Sequence, residues 1–393
     1  MKKIRPFFLV LLILLVLKAM EILLDYTFGN NDGEMAIIRY FQFFVLVFYV
    51  LYLSFKIKSK ALSNFILCIS SFALLMGIAE LVFHVLVNTL PPNLYTYDLK
   101  SSSDKAPFTH YDKDFGYRAT PSHVFEKTMF FKGKKIMHCQ YSMDSLSRRA
   151  TPDFFKSNNN KKFACFFGCS FTYGFLLKSD QTLAAQFAKA DTNFRSYNYA
   201  LNGYGTQQLL STLKMKSIQN EIHEKDGVFI YPFIDHHVRR VIGDQYVMGN
   251  FDWAMERPYY SLCHDSLILN GDFNERPCTN FLYRALNKSY ALKYFQIRFP
   301  LSVDEEDIAL TAKIIDESYK SYKVKFKNDN FYVLIFPGQK IKIGNYLKVK
   351  KIKVLDYSKL YNIGNPMYHI PGDNHPSALA CKIIAEQLAK DIN

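Results

Sequence analysis

The chain has 393 residues, more than one ordinary domain needs, and Lys plus Arg outnumber Asp plus Glu by 49 to 35, a formal charge of +14. That charge suits nucleic acid, an anionic membrane surface or an acidic glycan. The lysines are scattered through loops with no nucleic-acid module beside them, so nucleic acid is not expected as a partner, and seven cysteines without metal spacing give no disulfide framework.

The N-terminus, Met1-Lys2-Lys3-Ile4-Arg5, is basic and precedes an apolar run from Phe7 to Leu24 interrupted by Lys18 and Glu21. No small-x-small cleavage site follows, and further apolar segments run from about Ile37 to Phe55 and from about Leu62 to Val87, so a retained anchor is preferred over a signal peptide. Residues 1–90 thus read as a membrane region with three transmembrane helices. Lys2, Lys3 and Arg5 share a side with Lys56, Lys58 and Lys60, whereas Asp25, Asp32 and Glu34 occupy the opposite loop. Basic loops inside deliver the rest of the chain outside, which is the periplasm if the cell is Gram-negative. Glu80 and His84 share one face of the third span; an interhelical pair or an interfacial position is preferred over a functional site.

Residues 91–160 are polar and turn-rich, with Pro91-Pro92 and Ser101-Ser102-Ser103 suiting a linker. From Lys161 the rhythm becomes strand then helix. Phe163–Phe167, Ser196–Ala200, Gly227–Phe233, Phe331–Phe336 and Ile352–Leu355 read as short buried strands. Helical patterns lie between them, including Thr206–Ile222 and Val303–Tyr322, the latter with a capping box from Ser302 and Glu305. Alternation of this kind implies an α/β domain over 161–393, with a parallel sheet covered on both faces. An insertion at about 236–300 interrupts the rhythm; it holds Trp253, Cys263, Cys278 and the pair Arg239-Arg240. It reads as an irregular lid or partner surface. The two arginines are candidates for an acidic substrate group, against the more ordinary reading as solvated or carboxylate-paired, and the two cysteines could pair in an oxidising compartment.

The first expected strand stops at Gly168-Cys169-Ser170-Phe171-Thr172-Tyr173-Gly174, a turn that presents Ser170 at a carboxyl strand end. Serine needs a base and an orienting carboxylate. Asp373-Asn374-His375-Pro376-Ser377 supplies candidates just before a helical pattern carrying Leu379, Ile383, Ile384 and Leu388. Pro376 suits a first helical turn, which would put His375 beside the positive helix end and favour its neutral form. Position 172 is threonine, so the Gly-x-Ser-x-Gly elbow is missing and the common α/β-hydrolase topology is disfavoured.

These blocks, with Asn198-Tyr199-Ala200-Leu201-Asn202-Gly203-Tyr204-Gly205-Thr206, resemble the SGNH hydrolases, also called GDSL-like lipases and esterases, over roughly the last three-fifths of the chain. The resemblance implies a three-layer α/β/α flavodoxin-like domain, with 91–160 containing the short β-rich lead-in found in membrane-linked members. It places the nucleophile at Ser170, the base at His375 and its orienting acid at Asp373. Oxyanion donors fall on Ser170 and Gly203, and the third oxyanion position falls on Asp235 or His236. Cys169 replaces the usual acidic residue, Asp373 and His375 are one residue apart where many members have two, and Pro232-Phe233-Ile234-Asp235-His236-His237 replaces the usual Gly-x-Asn-Asp. An ionised Asp235 only accepts hydrogen bonds, so the third donor is in question.

No metal is expected, because His236 and His237, taken as strand neighbours, point to opposite faces. No cofactor is expected either, since no phosphate-cradling loop or dinucleotide fingerprint occurs. The expected function is a membrane-embedded ester hydrolase or O-acyltransferase acting on acylated envelope glycan or lipid. The alternative is a non-catalytic envelope scaffold that binds glycan or a membrane-protein partner.

Overall fold

The computed structural model describes residue 18 and residues 32–90, 94–102, 105–154 and 162–392; apart from Lys18, the first expected span lies outside the described residues. The described chain divides into two compact units. One holds two apolar helices together with Ala285–Ile297, and the other runs from the lead-in strands to Arg284 and again from Arg298.

In the first unit, α1 spans Asp32–Ser54 and α2 spans Lys60–Thr89. Ser59 starts α2 by accepting from Leu62 N–H. Among the described residues α2 is the one helix long and apolar enough to cross a membrane, with mean hydropathy 2.3, whereas the apolar part of α1, Ile38–Ser54, is shorter. Glu80 forms no pair with His84. Its carboxylate instead accepts from the Ser289 hydroxyl, Tyr290 N–H (2.7 Å) and Ala291 N–H (3.4 Å), capping a short helix over Tyr290–Tyr294. His84 is buried between the rings of Tyr40 and Tyr290, 5.5 and 4.2 Å away.

The second unit begins with β1 (Tyr95–Ser101), β2 (Thr109–Asp112), β3 (Gly116–Ala119), β4 (Val124–Phe131) and β5 (Lys134–Ser142). An antiparallel sheet joins β1, β4 and β5, and β2 pairs with β3. There follow β6 (Lys162–Phe166), α3 (Ser170–Tyr173), α4 (Leu183–Ala190), β7 (Phe194–Asn198), α5 (Thr206–Lys214) and β8 (Gly227–Phe233). The insertion holds α6 (His236–Ile242), α7 (Gln245–Asn250), the hairpin β9 (Pro258–Cys263) and β10 (Ser266–Asp272), and α8 (Pro277–Leu286). The chain ends with α9 (Glu305–Phe326), β11 (Phe331–Ile335), α10 (Ile343–Val349), β12 (Lys353–Asp356) and α11 (Ala378–Asp391).

The five expected strands form one parallel sheet in the order β12-β11-β8-β6-β7. Counted from β6 this is the doubly wound order 2-1-3-4-5, with its topological switch between β6 and β8. Side-chain alternation builds two cores. Ala164, Phe166, Val228, Ile230 and Leu334 face α4 and α11, while Phe163, Cys165, Phe229, Tyr231 and Val333 face α5, α9 and α10. Each fully buried Phe contributes about 1.5–3 kcal/mol.

The lead-in is not a separate piece. Phe125, Met129 and Tyr141 share a core cluster with Phe166, Leu183 and Ile384, so the expected boundary near residue 160 does not divide the fold. Nor is the insertion irregular. His264 and Asp265, both with positive φ, close a two-residue hairpin turn without the glycine that would have announced it, and Cys263 and Cys278 are free. The helix expected over Thr206–Ile222 stops at Lys214, and α9 is capped by Asp304 with Asp307 rather than by Ser302 with Glu305.

Glu80→Ala should cost about 2 kcal/mol of local stability by orphaning the three donors it satisfies. That is about a thirtyfold rise in the open population of residues 285–297, read as faster limited proteolysis there. Unchanged cleavage would reject this role for Glu80.

Candidate functional site

Gly168 follows β6 with φ +124°, and a Cβ there would sit 2.7 Å from Thr172 Oγ1 and 3.3 Å from the Pro232 carbonyl. Only glycine suits that backbone, so the turn into α3 is fixed by sequence. Cys169 is buried in the core, which explains why an apolar thiol can stand before Ser170. The turn is held from below by Arg149, buried between the rings of Tyr141 and Tyr173 and donating to the carbonyls of Tyr173 (3.0 Å), Gly174 (2.7 Å) and Leu177 (2.5 Å).

Ser170, Asp373 and His375 come together. His375 Nε2 lies 2.7 Å from Ser170 Oγ, and His375 Nδ1 lies 2.5 Å from Asp373 Oδ1. The carboxylate can only accept, so in the neutral imidazole Nδ1 carries the proton and Nε2 turns its lone pair to the serine. One intervening residue suffices because Asp373 Oδ1 also accepts His375 N–H at 2.9 Å, closing a tight Asx-type turn. Phe175 and Phe171 flank the imidazole at 4.5 and 5.1 Å. The helix-end expectation is corrected: α11 starts at Ala378 behind the Ser377 cap, and Pro376 pairs with His369 instead of opening a helical turn. The orientation of His375 therefore comes from Asp373 and the two phenyl rings.

Sequence reasoning missed Tyr97. This β1 residue donates its hydroxyl to Asp373 Oδ2 at 3.1 Å. Burial pushes the Asp373 carboxyl up, but the hydrogen bonds and charge of His375, with the Tyr97 hydroxyl, outweigh it and hold the group below the usual carboxylate range. Its contribution to stability is therefore present above the ordinary carboxyl pKa and is lost as pH falls through the depressed value. Burial and the neighbouring Asp373 charge push the Tyr97 phenol up to about 12, so it remains a donor. A lone aromatic in a linker-like stretch carries no signal of this role.

The N–H groups of Ser170 and Gly203 donate to no acceptor among the described residues. Their loops are tied together by Leu201 N–H to the Gly168 carbonyl (3.3 Å) and by Asn198 Nδ2 to the Thr172 carbonyl (3.1 Å). Gly203 has φ +83°, and a Cβ would meet the Tyr117 hydroxyl at 2.5 Å and the Trp253 ring at 2.7 Å. Tyr117 donates to the Asn202 carbonyl at 2.7 Å, so the lead-in also shapes this loop.

Other expected site residues are engaged elsewhere. Asp235 accepts from Lys340 N–H (2.9 Å) and Ile341 N–H (3.1 Å), which uses its carboxylate to hold the loop after β11. His236 and His237 lie on α6, not on a strand. His236 is exposed, and His237 is fully buried with Nδ1 2.7 Å from the Tyr231 hydroxyl. Burial, aided by the Arg240 charge, lowers the His237 pKa well below its ordinary value, so the ring is neutral. Arg239 pairs with buried Asp244 at 3.1 Å, and Arg240 donates to the Tyr204 carbonyl at 2.6 Å. Both arginines thus brace the fold. Among the described residues no group of three His, Cys, Asp or Glu could hold a metal.

No protein-family model matches the chain, and no curated protein matches it significantly.

Tyr97→Phe should slow modification of the Ser170 hydroxyl by a fluorophosphonate about fivefold, the worth of one hydrogen bond of about 1 kcal/mol. The loss should vary with pH on the acid side, where the altered carboxylate is felt. A wild-type rate at every pH would exclude Tyr97 as a positioning residue.

Proposed function

We propose that the chain is a membrane-anchored serine ester hydrolase or O-acyltransferase of the SGNH type, acting on acylated cell-envelope glycan or lipid on the outer, periplasmic side of a membrane. The observation that carries this reading is the convergence of Ser170, His375 and Asp373 at 2.7 and 2.5 Å, at the carboxyl end of a parallel sheet. The α2 helix supports membrane attachment, and the basic residues Lys2, Lys3 and Arg5 ahead of the first apolar run, with Lys56, Lys58 and Lys60 between α1 and α2, support outward delivery of the second unit.

In this reading His375 Nε2 takes the Ser170 proton as Oγ bonds to the ester carbonyl carbon. The N–H groups of Ser170 and Gly203 face the resulting oxyanion. The tetrahedral species collapses by breaking the bond to the alcohol oxygen, which leaves with the imidazolium proton. Water, or a sugar hydroxyl, then attacks the acyl-serine with His375 again as base, giving hydrolysis or transfer. Acid–base and nucleophilic chemistry alone is required of these residues.

One observation favours a second reading, a non-catalytic scaffold: the Asp235 carboxylate is occupied, so the third oxyanion position offers no side-chain donor from that residue. A fluorophosphonate separates the two. Labelling of Ser170 in the wild-type protein, absent from Ser170→Ala, is expected, with esterase turnover falling on the order of 10⁴-fold or more in the variant. An unlabelled wild-type serine would overturn the enzyme reading. Mass spectrometry of envelope glycan and lipid acylation gives the direction: more acyl groups in Ser170→Ala means removal, fewer means addition.

A further inference from the structure

Lys127 stands out on β4. Its cross-strand partner is Leu99, and its neighbours on the same face of the strand are Phe125 and Met129, both buried. A lysine on the core-packing face of a sheet is costly unless its charge is used. Its Nζ makes no hydrogen bond or ion pair among the described residues and lies over two rings, 5.2 Å from the Tyr97 centroid and 5.4 Å from the Phe175 centroid. The nearest acid on β1, Asp98, is already paired with Lys100 at 2.8 Å. Those two rings are the ones that serve the candidate triad: Tyr97 binds Asp373, and Phe175 lies against His375. Burial lowers the lysine's pKa, opposed by the carboxylate charges of Asp98 and Asp373. A half-buried cation one aromatic ring from the reacting groups, with Asp98 and Asp373 near enough to be felt but in no direct ion pair, fits an anion that arrives with the substrate.

Resting on the serine-esterase reading above, we infer that Lys127 is the recognition group for an anionic substituent on the substrate, so that the natural substrate is an ester of an acidic molecule bearing a carboxylate, sulfate or phosphate near the reacting carbonyl. The Tyr97 and Phe175 rings form the floor on which Nζ is held, and the substituent replaces the water that otherwise solvates it. Specificity then comes from the lead-in strands, while the chemistry comes from the loops of the parallel sheet. The chain's net charge of +14 favours approach of such a substrate.

The test uses the full-length detergent-solubilised protein with 4-acetoxybenzoate, an anionic acetyl ester, and methyl 4-acetoxybenzoate, its neutral counterpart. The ratio of kcat/KM for the charged over the neutral ester should fall about thirtyfold in Lys127→Met, through KM, and recover in Lys127→Arg. Added salt should lower the same ratio in the wild-type protein. Equal losses on both esters would overturn the inference and leave Lys127 a purely structural residue. Calorimetric binding of 4-acetoxybenzoate to Ser170→Ala, with and without Lys127→Met, reads the contact without turnover. Binding that depends on Lys127 while the wild-type serine resists fluorophosphonate would keep the anion site and remove the esterase reading. Binding indifferent to Lys127 with a labelled serine would do the reverse.

Discussion

The candidate site depends on the way one carboxylate is filled. Asp373 is half-buried, which by itself favours its protonated form, yet three donors converge on it: the backbone N–H and ring Nδ1 of His375 and the hydroxyl of Tyr97. Their sum outweighs burial and keeps the acid ionised. An ionised acid at that point leaves the imidazole one useful tautomer and one orientation, toward Ser170. Without it the serine would be an ordinary alcohol at the end of a strand.

The parallel sheet makes this convergence possible by separating rigidity from variation. Strands β6 and β8 are apolar on both faces, so their carboxyl ends are fixed by packing that no single loop can disturb. Loops then bind to loops: the Gly168 carbonyl receives Leu201, Asn198 holds Thr172, and Arg149 collects three carbonyls beneath the serine turn. Arg149 carries its charge into the interior with carbonyl dipoles as partners, which makes it a brace for the turn and nothing that a substrate could reach.

What the amino-acid order reveals follows from how local each signal is. Strands β6, β7, β8, β11 and β12 are short apolar runs and were legible within one or two residues, as were Ser170, Asp373 and His375, because each lies in a turn whose glycine or proline marks it. Tyr97 and Lys127 were not legible: their importance arises from strand pairing and from contact with a loop some 276 positions away in the case of Tyr97, and neither leaves a periodic trace. His236 and His237 look like strand residues in the sequence alone, whereas the chain leaves the sheet after Phe233 and turns helical at once. Arg239 and Arg240 invited a substrate role because exposed arginines often have one; their partners, Asp244 and the Tyr204 carbonyl, become neighbours only after folding.

The joint core of the antiparallel lead-in and the parallel sheet has a practical corollary. A fragment begun where the strand-and-helix rhythm first becomes visible, near residue 161, would retain nucleophile, base and acid in one continuous stretch and would look complete on paper. It would nonetheless lack the phenol that steadies Asp373, the phenol that shapes the Gly203 loop and the guanidinium under the serine turn, since these come from Tyr97, Tyr117 and Arg149. The smallest autonomous piece therefore begins ahead of β1, and silence from a shorter one would say nothing about the parent molecule.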